Sequence, residues 1–598
     1  LTEAVLSRLL AALILALMLV PATASLGHMS FPQFETFEFG NGLTVCVAED
    51  HFQPVVLARV LVLSGAGTNP RGKAGLEGMT ARAARAGIPG IDTEVALEDS
   101  LGRLGARCSQ WTSWDATTFS LDAIAEHWRE ALGLLASVVT EPSFPRREVE
   151  RIRDEWLVTL EESRDNPGQI GRSHVDGVLY GDCGLTEREL RRISREDIVE
   201  FHGRHYLPNN TVVLVIGDFE TTDAVDAVEE AFDGWTAGER PPLPESPPVR
   251  RDLPAVRLVD KPGLTQATVV WCQPGARFDD PDHYACRLAN HALGGGGFSS
   301  RLMKAVRVEH GKTYGIGSID DNHALFGTFR IQTSTRNDGL GETMRTIRSV
   351  TDAFVRDGLT QEEFEKARSY MLEGMPVRYE TPSRILGTLC YFFERGGGLE
   401  DLDRLEERYQ GPDLGDVRDA FARYVHPEEM VWVVVGDADV IADDLRGFGS
   451  VERRYYLEPA GDVGSFERTR FGLGVAWNAA VRGPRITLLH RWFGLSAAYG
   501  FERADDTWGH DWAYSATVDA HRSNSEYSDT SLYVGLTYLR STGFRNWGPH
   551  LGFRIFPGAL GESASLFLQY DRPIWLDKPA SGDAPEGLWS FGLDWYFR

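Results

Sequence analysis

RHYLPNNTVVLVIGD (204–218) returns further along the chain as RYVHPEEMVWVVVGD (423–437), setting Pro208, Gly217 and Asp218 against Pro427, Gly436 and Asp437. Each stretch runs from a helix end, through a proline turn, into an apolar strand closed by Gly-Asp. A second match supports the first. FPRREVERIRDEW (144–156) aligns with LTQEEFEKARSYM (359–371), pairing Glu148 with Glu363 and Glu150 with Glu365, and Pro167 keeps the same spacing to Pro382. Several matches at nearly one offset are the signature of a duplicated unit. The chain therefore reads as two tandem copies of one domain, over 31–240 and 255–450. Strands such as VVLARVLVLSG mix with helices such as HWREALGLLASVV without a regular βαβ beat, which makes each copy α+β. Between them ERPPLPESPPVRRDLP (239–254) is rich in proline and charge and reads as a linker.

Beyond about residue 465 the pattern changes to period two, the repeat of a strand. In LWSFGLDWYF (588–597), Trp589, Phe591, Leu593, Trp595 and Phe597 share one face, with Ser590, Gly592, Asp594 and Tyr596 on the other. Eight such runs, from RFGLGVAWNA to LWSFGLDWYFR, fill 465–598, which also holds eight of the fifteen Trp and a single Lys, Lys578. Alternating runs near ten residues long with aromatics on the apolar face fit an antiparallel, eight-stranded transmembrane β-barrel. A soluble β-sandwich or barrel shows the same alternation and stays open as the alternative. At the other end, Arg8 precedes the apolar run LLAALILALMLV (9–20) and the small-x-small Ala22-Thr23-Ala24. The run is too short to span as an anchor, so residues 1–24 read as a secretory signal, and the chain as periplasmic and attached to the outer membrane. A buried first helix is the plainer alternative.

A chain of 598 residues needs more than one core. Its formal charge of −26 argues against nucleic acid, which requires clustered Lys and Arg. The six Cys (46, 108, 183, 272, 286, 390) are widely separated and several lie in apolar runs, so free buried thiols are the plainer reading over disulfides.

GGGGFSSRLMKAVRVEHGKTYG (294–315) carries the chemistry. It has neither the spacing of a P-loop nor that of a dinucleotide loop. Ser299 or Ser300 is expected to cap a helix from Arg301 to about Glu309, with Leu302, Met303 and Val306 as its apolar stripe and Gly311 as its stop. Arg307 and Tyr314, in the strand TYGIGSID, then converge as two donors toward a carbonyl oxygen or the oxyanion it becomes. Gly294, Gly295, Gly296 and Gly297 would let a peptide or a partner's backbone come close. A salt-bridged Arg and a half-buried Tyr are the bland alternative. His202 and His205 in EFHGRHYLP form at most an incomplete metal pair.

With the tandem copies, the opening FETFEFGNGLTVCVAEDHFQPVVLARVLVLSGAGTNPRGKAGL and LGGGGFSSRLMKAVRVEHGKTYG, the chain resembles the M16 peptidases, the group of insulinase, pitrilysin and mitochondrial processing peptidase. The resemblance spans 31 to about 455. It implies a helix bearing His-x-x-Glu-His directly after Gly75-Leu76, with zinc on the histidines and the Glu activating water. The sequence instead reads AGLEGMTARAARAG, with Gly78 and Arg82 at the histidine positions and Ala81 at the base. Glu148 and Glu155 match the downstream acidic pair, Glu155 at the third ligand, and their bland reading is as salt-bridged helix positions. No metal is therefore expected in this chain. The resemblance further implies that Arg307 and Tyr314 orient a substrate backbone. The expectation is a non-zinc subunit that binds peptide or unfolded polypeptide in a heterodimer with an HxxEH-bearing M16 chain, zinc residing in that partner. A catalytically inactive binding or assembly scaffold is the alternative.

Overall fold

The computed structural model describes residues 31–456, apart from 182–183, 243, 245, 248, 250–252, 310 and 312, together with the backbone of the strands between 470 and 597. The signal reading of 1–24, part of the 239–254 linker and Cys183 lie outside the described residues. Two α+β units follow one another. The first is built on β1 (Glu35–Glu38), β2 (Thr44–Glu49), β3 (Val55–Val62), β4 (Arg107–Thr112), β5 (Thr117–Ile124) and β6 (Thr211–Gly217), in the order β1-β2-β6-β3-β5-β4. The second uses β7 (Val256–Asp260), β8 (Gln266–Pro274), β9 (Thr313–Asn322), β10 (Gly327–Arg336), β11 (Val431–Gly436) and β12 (Val451–Tyr455), in the order β12-β7-β11-β8-β10-β9.

Five strands of each sheet correspond one to one. β2 runs parallel to β6 as β7 does to β11, and β6 pairs antiparallel with β3 as β11 does with β8. The copies differ at one edge, where β1 is antiparallel to β2 and β12 parallel to β7. The marked repeat positions recur in the structure. Gly217 and Gly436 end the central strands, Glu148 and Glu363 lie in the first turns of their helices, and Pro167 and Pro382 open helices. Proline suits a first helical position because its missing N–H would have no partner there.

The helices that position the site are α1 (Leu76–Ala84), α2 (Glu94–Arg103), α3 (Arg146–Ser163), α4 (Pro167–Leu179), α5 (His283–Asn290), α6 (Gln361–Glu373) and α7 (Pro382–Phe393). Two of them cross over between the units. Ile170, Val175, Val178 and Leu179 of α4 pack on Val259, Val270, Cys272, Val431, Val433 and Val435 of the second sheet. Their repeat counterpart α7 sends Ile385, Leu386 and Leu389 into the cluster holding Cys46, Leu57, Leu61, Leu214 and Ile216 of the first. The strands can serve two faces because their residues alternate. Val56, Ala58, Val60 and Val62 of β3 face their own unit's helices, while Leu57 and Leu61 face the other unit. Polar contacts follow the same seam. Asp115 bonds His323 at 2.8 Å, Ser113 donates to Glu394 at 2.9 Å, and Tyr180 donates to the Gly327 carbonyl at 2.7 Å. The five described cysteines are free and buried.

Between 470 and 597 the strands are β13 (Arg470–Trp477), β14 (Arg482–His490), β15 (Phe493–Ala504), β16 (Thr507–Asn524), β17 (Ser528–Ser541), β18 (Phe544–Pro557), β19 (Ala564–Asp571), β20 (Ile574–Asp577) and β21 (Leu588–Phe597). All pairings are antiparallel, in the order β17-β16-β15-β14-β13-β21-β19-β18-β20, with β17 also paired to β18. Eight runs were expected and nine strands are described, because SASLFLQYDRPIW is divided between β19 and β20. Among the described residues no helix is long and apolar enough to cross a membrane.

The crossing of α4 and α7 makes the two units one cooperative body. Leu389 is fully buried, so Leu389→Ala is expected to cost about 2–5 kcal/mol. Both sheets should unfold in a single shifted transition, followed by chemical denaturation with tryptophan fluorescence and circular dichroism. Two separated transitions would contradict the interlock.

Candidate functional site

The glycine stretch follows α5 and turns through two wide π-helical segments, His291–Gly295 and Met303–Glu309, with a 3-10 turn, Gly297–Ser299, between them. An ordinary α-helix from Arg301 to Glu309 was expected, and only Arg301 and Leu302 are α-helical. Neither serine caps by accepting a backbone N–H. Ser299 donates to the Gly296 carbonyl at 3.1 Å and Ser300 to that of Gly297 at 2.8 Å, tying the turn to itself. The apolar stripe does bury Leu302, Met303 and Val306, and Gly311 ends the segment with φ 60°.

The four glycines have different reasons. A Cβ on Gly294 would stand 2.5 Å from the Ser318 backbone nitrogen and 2.9 Å from Leu302 Cδ1, so its open side is taken by this chain's own strand β9. Gly296 is closed in the same way by the His291 carbonyl at 2.7 Å. Gly297 has φ 60° and open space around it, and Gly295 is exposed. Only Gly295 and Gly297 offer a surface that another backbone can approach.

Arg307 and Tyr314 meet across the turn. The Arg307 guanidinium lies 5.2 Å from the centroid of the Tyr314 ring and 4.7 Å from that of Phe298, so two rings flank one cation. Phe298 is 71 % exposed and Tyr314 91 %, unusual for two large aromatic side chains. Among the described residues Arg307 forms no ion pair, in contrast to Arg301, which bonds Glu363 twice at 2.6 Å. Glu363 also accepts from the Thr360 backbone N–H at 2.8 Å. Burial works against its charge, but the Arg301 and Thr360 bonds outweigh it and hold its pKa at about 2. Arg301 thus fastens the loop to α6 and leaves Arg307 uncommitted. Phe298 was missed from sequence, where it is only the residue after four glycines.

The positions of the zinc motif lie on α1, which starts from the left-handed Gly75, φ 85°. Trp156 of α3 lies over them. A Cβ on Gly78 would come within 2.7 Å of the Trp156 Cη2, and one on Gly75 within 3.3 Å of the same indole. Ala81 is buried in the core. Arg82 pairs with Glu94 of α2 at 2.5 Å, and Arg151 with Glu94, Glu148 and Glu155 at 3.2, 2.8 and 2.5 Å. Arg85 joins through Glu94 at 3.5 Å and through Glu98. An indole fills the volume and guanidinium groups hold the carboxylates, so this donor set does not fit a zinc ion. Among the described residues no group of three or more His, Cys, Asp and Glu could hold a metal. His202 and His205 have structural partners, the Val139 carbonyl at 2.8 Å and Ser64 Oγ at 3.0 Å, and burial pushes both pKa values down to about 4.

Comparison with known proteins bears on both sites. Residues 44–182 match the family described as insulinase (peptidase family M16), and residues 192–371 the M16 inactive domain. An uncharacterized zinc protease of Rickettsia bellii is 21 % identical over 70 % of this chain and 95 % of its own length. The non-peptidase homolog YmxG of Helicobacter pylori is 21 % identical over 66 % and 91 %. The crystal structure of a peptidase M16 inactive domain from Pseudomonas fluorescens superposes with a TM-score of 0.63 at 25 % identity, covering 68 % of this chain and 98 % of that one.

Restoring the motif letters should not restore the metal. The combined Gly78→His, Ala81→Glu and Arg82→His variant is expected to purify without stoichiometric zinc, because Trp156 occupies the space of the first imidazole. Elemental analysis of the purified protein reads this directly, and one zinc per chain would show that the indole yields.

Proposed function

We propose that this chain, which belongs to the M16 peptidase family and has Gly78, Ala81 and Arg82 where the zinc motif would be, is the non-zinc subunit of a two-chain peptidase. The observation that carries the reading is Arg307, half-buried, flanked by the exposed rings of Phe298 and Tyr314, and without a carboxylate partner among the described residues. A guanidinium and a phenol side by side give several N–H and O–H donors at one point. On this reading they take the carbonyl oxygen of an extended peptide and hold it more strongly as it becomes a tetrahedral oxyanion. Glu94, Glu148 and Glu155 are held by arginines, so the attacking water and the group that activates it belong to an HxxEH-bearing partner. The zinc belongs there too.

A second reading, an inactive M16-like scaffold that binds peptide or assembles other chains, is favoured by the likeness to a non-peptidase homolog. The two part on activity. When the chain is co-expressed with an HxxEH-bearing M16 chain, Arg307→Ala and Tyr314→Phe are each expected to lower kcat/KM by about a hundredfold, with the partner's zinc content unchanged. Cleavage equal to wild type in both variants would remove the assigned role. A wild-type pair that binds peptide without cleaving it would favour the scaffold.

We further infer that β13–β19 and β21 close into a barrel seated in the bacterial outer membrane, with the two α+β units in the periplasm. Support comes from the pairing of β17 with β18, which returns the strand order on itself, and from the aromatic alternation of the sequence. The full-length chain is then expected in the outer-membrane fraction of cells and resistant to alkaline extraction. Recovery in the soluble periplasmic fraction would indicate the soluble β-domain instead.

A further inference from the structure

The glycine loop leads to a second pairing of an exposed ring with a half-buried cation. His291, which opens the loop, stacks on Tyr370 of α6 with ring centroids 4.3 Å apart at 26°. The same imidazole lies against Gly296, where an added Cβ would come within 2.9 Å of Nε2. Tyr370 is 56 % exposed, and the Arg378 guanidinium stands 5.5 Å from its ring centroid. Contacts therefore run without a break from Arg378 through Tyr370, His291 and Gly296 along the loop to Phe298, Arg307 and Tyr314.

Arg378 resembles Arg307 in what it lacks. It shares side-chain hydrogen bonds with Tyr379 and Met371 and, among the described residues, pairs with no carboxylate. Lys366 is the other cation facing His291. Burial first, and then Arg378 and Lys366, lower the His291 pKa, so this imidazole is neutral and the positive charge here is theirs. The guanidinium N–H donors not given to Met371 and Tyr379 can receive a carboxylate through charge-assisted hydrogen bonds.

We propose that Arg378 and Tyr370 form a subsite for an acidic side chain of the peptide that crosses Gly295 and Gly297. The proposal rests on the reading that Arg307 and Tyr314 hold that peptide's carbonyl. The occupant is an extended segment carrying Asp or Glu, selected by charge at Arg378 and by the face of Tyr370.

The test uses the full-length chain and fluorescein-labelled Gly/Ala peptides carrying glutamate, glutamine or lysine at matched positions, with affinity read by anisotropy. The glutamate peptide is expected to bind about tenfold more tightly than the glutamine peptide, as one charge-assisted contact would give. Raised ionic strength should erode that preference. Arg378→Gln should abolish it while leaving the glutamine peptide's affinity unchanged. Equal binding of glutamate and glutamine peptides to wild type, or a preference that survives Arg378→Gln, overturns the subsite. Arg307→Ala and Tyr314→Phe separate the two ideas: weaker binding of every peptide supports the carbonyl role. If these variants bind as wild type while the glutamate preference persists, the carbonyl role fails and the subsite stands. If no peptide binds wild type, both fail.

Discussion

The exchange of α4 and α7 between the two sheets is the constraint on which the rest of the structure depends. Each sheet is apolar on both faces, and each unit's own helices cover only one. The second face is covered by a helix from the other copy, placed at the same step of the repeat and opened by an equivalent proline. Fully burying a leucine or isoleucine contributes about 1.5–3 kcal/mol, so the several such residues on each crossing helix outweigh the seam's few polar contacts. Neither sheet can be covered without the other. This fixes β9 and the loop before it against the core, and so the surface on which Arg307 and Tyr314 meet.

The positions aligned with the zinc motif follow a related logic. Carboxylates crowded together repel one another, which is costly unless cations lie among them. Arg82 and Arg151 bring positive charge to Glu94, Glu148 and Glu155, and Trp156 takes the volume that an imidazole side chain would need. Removing one member of such a network leaves its partners uncompensated, so the arrangement holds as a unit. In the first copy this face is closed by ion pairs and an indole, while in the second Arg307 lies between two exposed rings.

The duplication was legible because its markers act locally. Proline at a helix start, Gly-Asp after an apolar strand and acidic residues in a first helical turn impose their conformation wherever they occur. The exchange of α4 and α7 was not legible, since an apolar face does not state which sheet it will meet. Nor were the π-helical turns: the run from Arg301 to Glu309 has an α-like apolar stripe, and tertiary packing against β9 overrides it. Gly294 and Gly297 read alike in sequence yet serve opposite needs, one a close approach to Ser318, the other a left-handed turn. The role of Trp156 required knowing that α3 lies over α1. Among the C-terminal runs, SASLFLQYDRPIW is described as two strands where its alternation reads as one.

What sets Arg307 apart is how it is held. An arginine fixed by a carboxylate, as Arg301 is by Glu363, has its charge largely neutralised and its donors spent. An arginine flanked by rings, 4.7 and 5.2 Å from their centroids, spends no hydrogen-bond donor on a carboxylate. Holding the cation in advance lowers the side-chain entropy lost when a carbonyl arrives, so more of each hydrogen bond appears as binding. The same contact costs little when the site is empty, because both rings remain in water and Arg307 is only half-buried. A surface that must take a peptide backbone of varied sequence gains from this arrangement. It presents donors to a group that every residue carries, and leaves selection among side chains to whatever lies further along the loop.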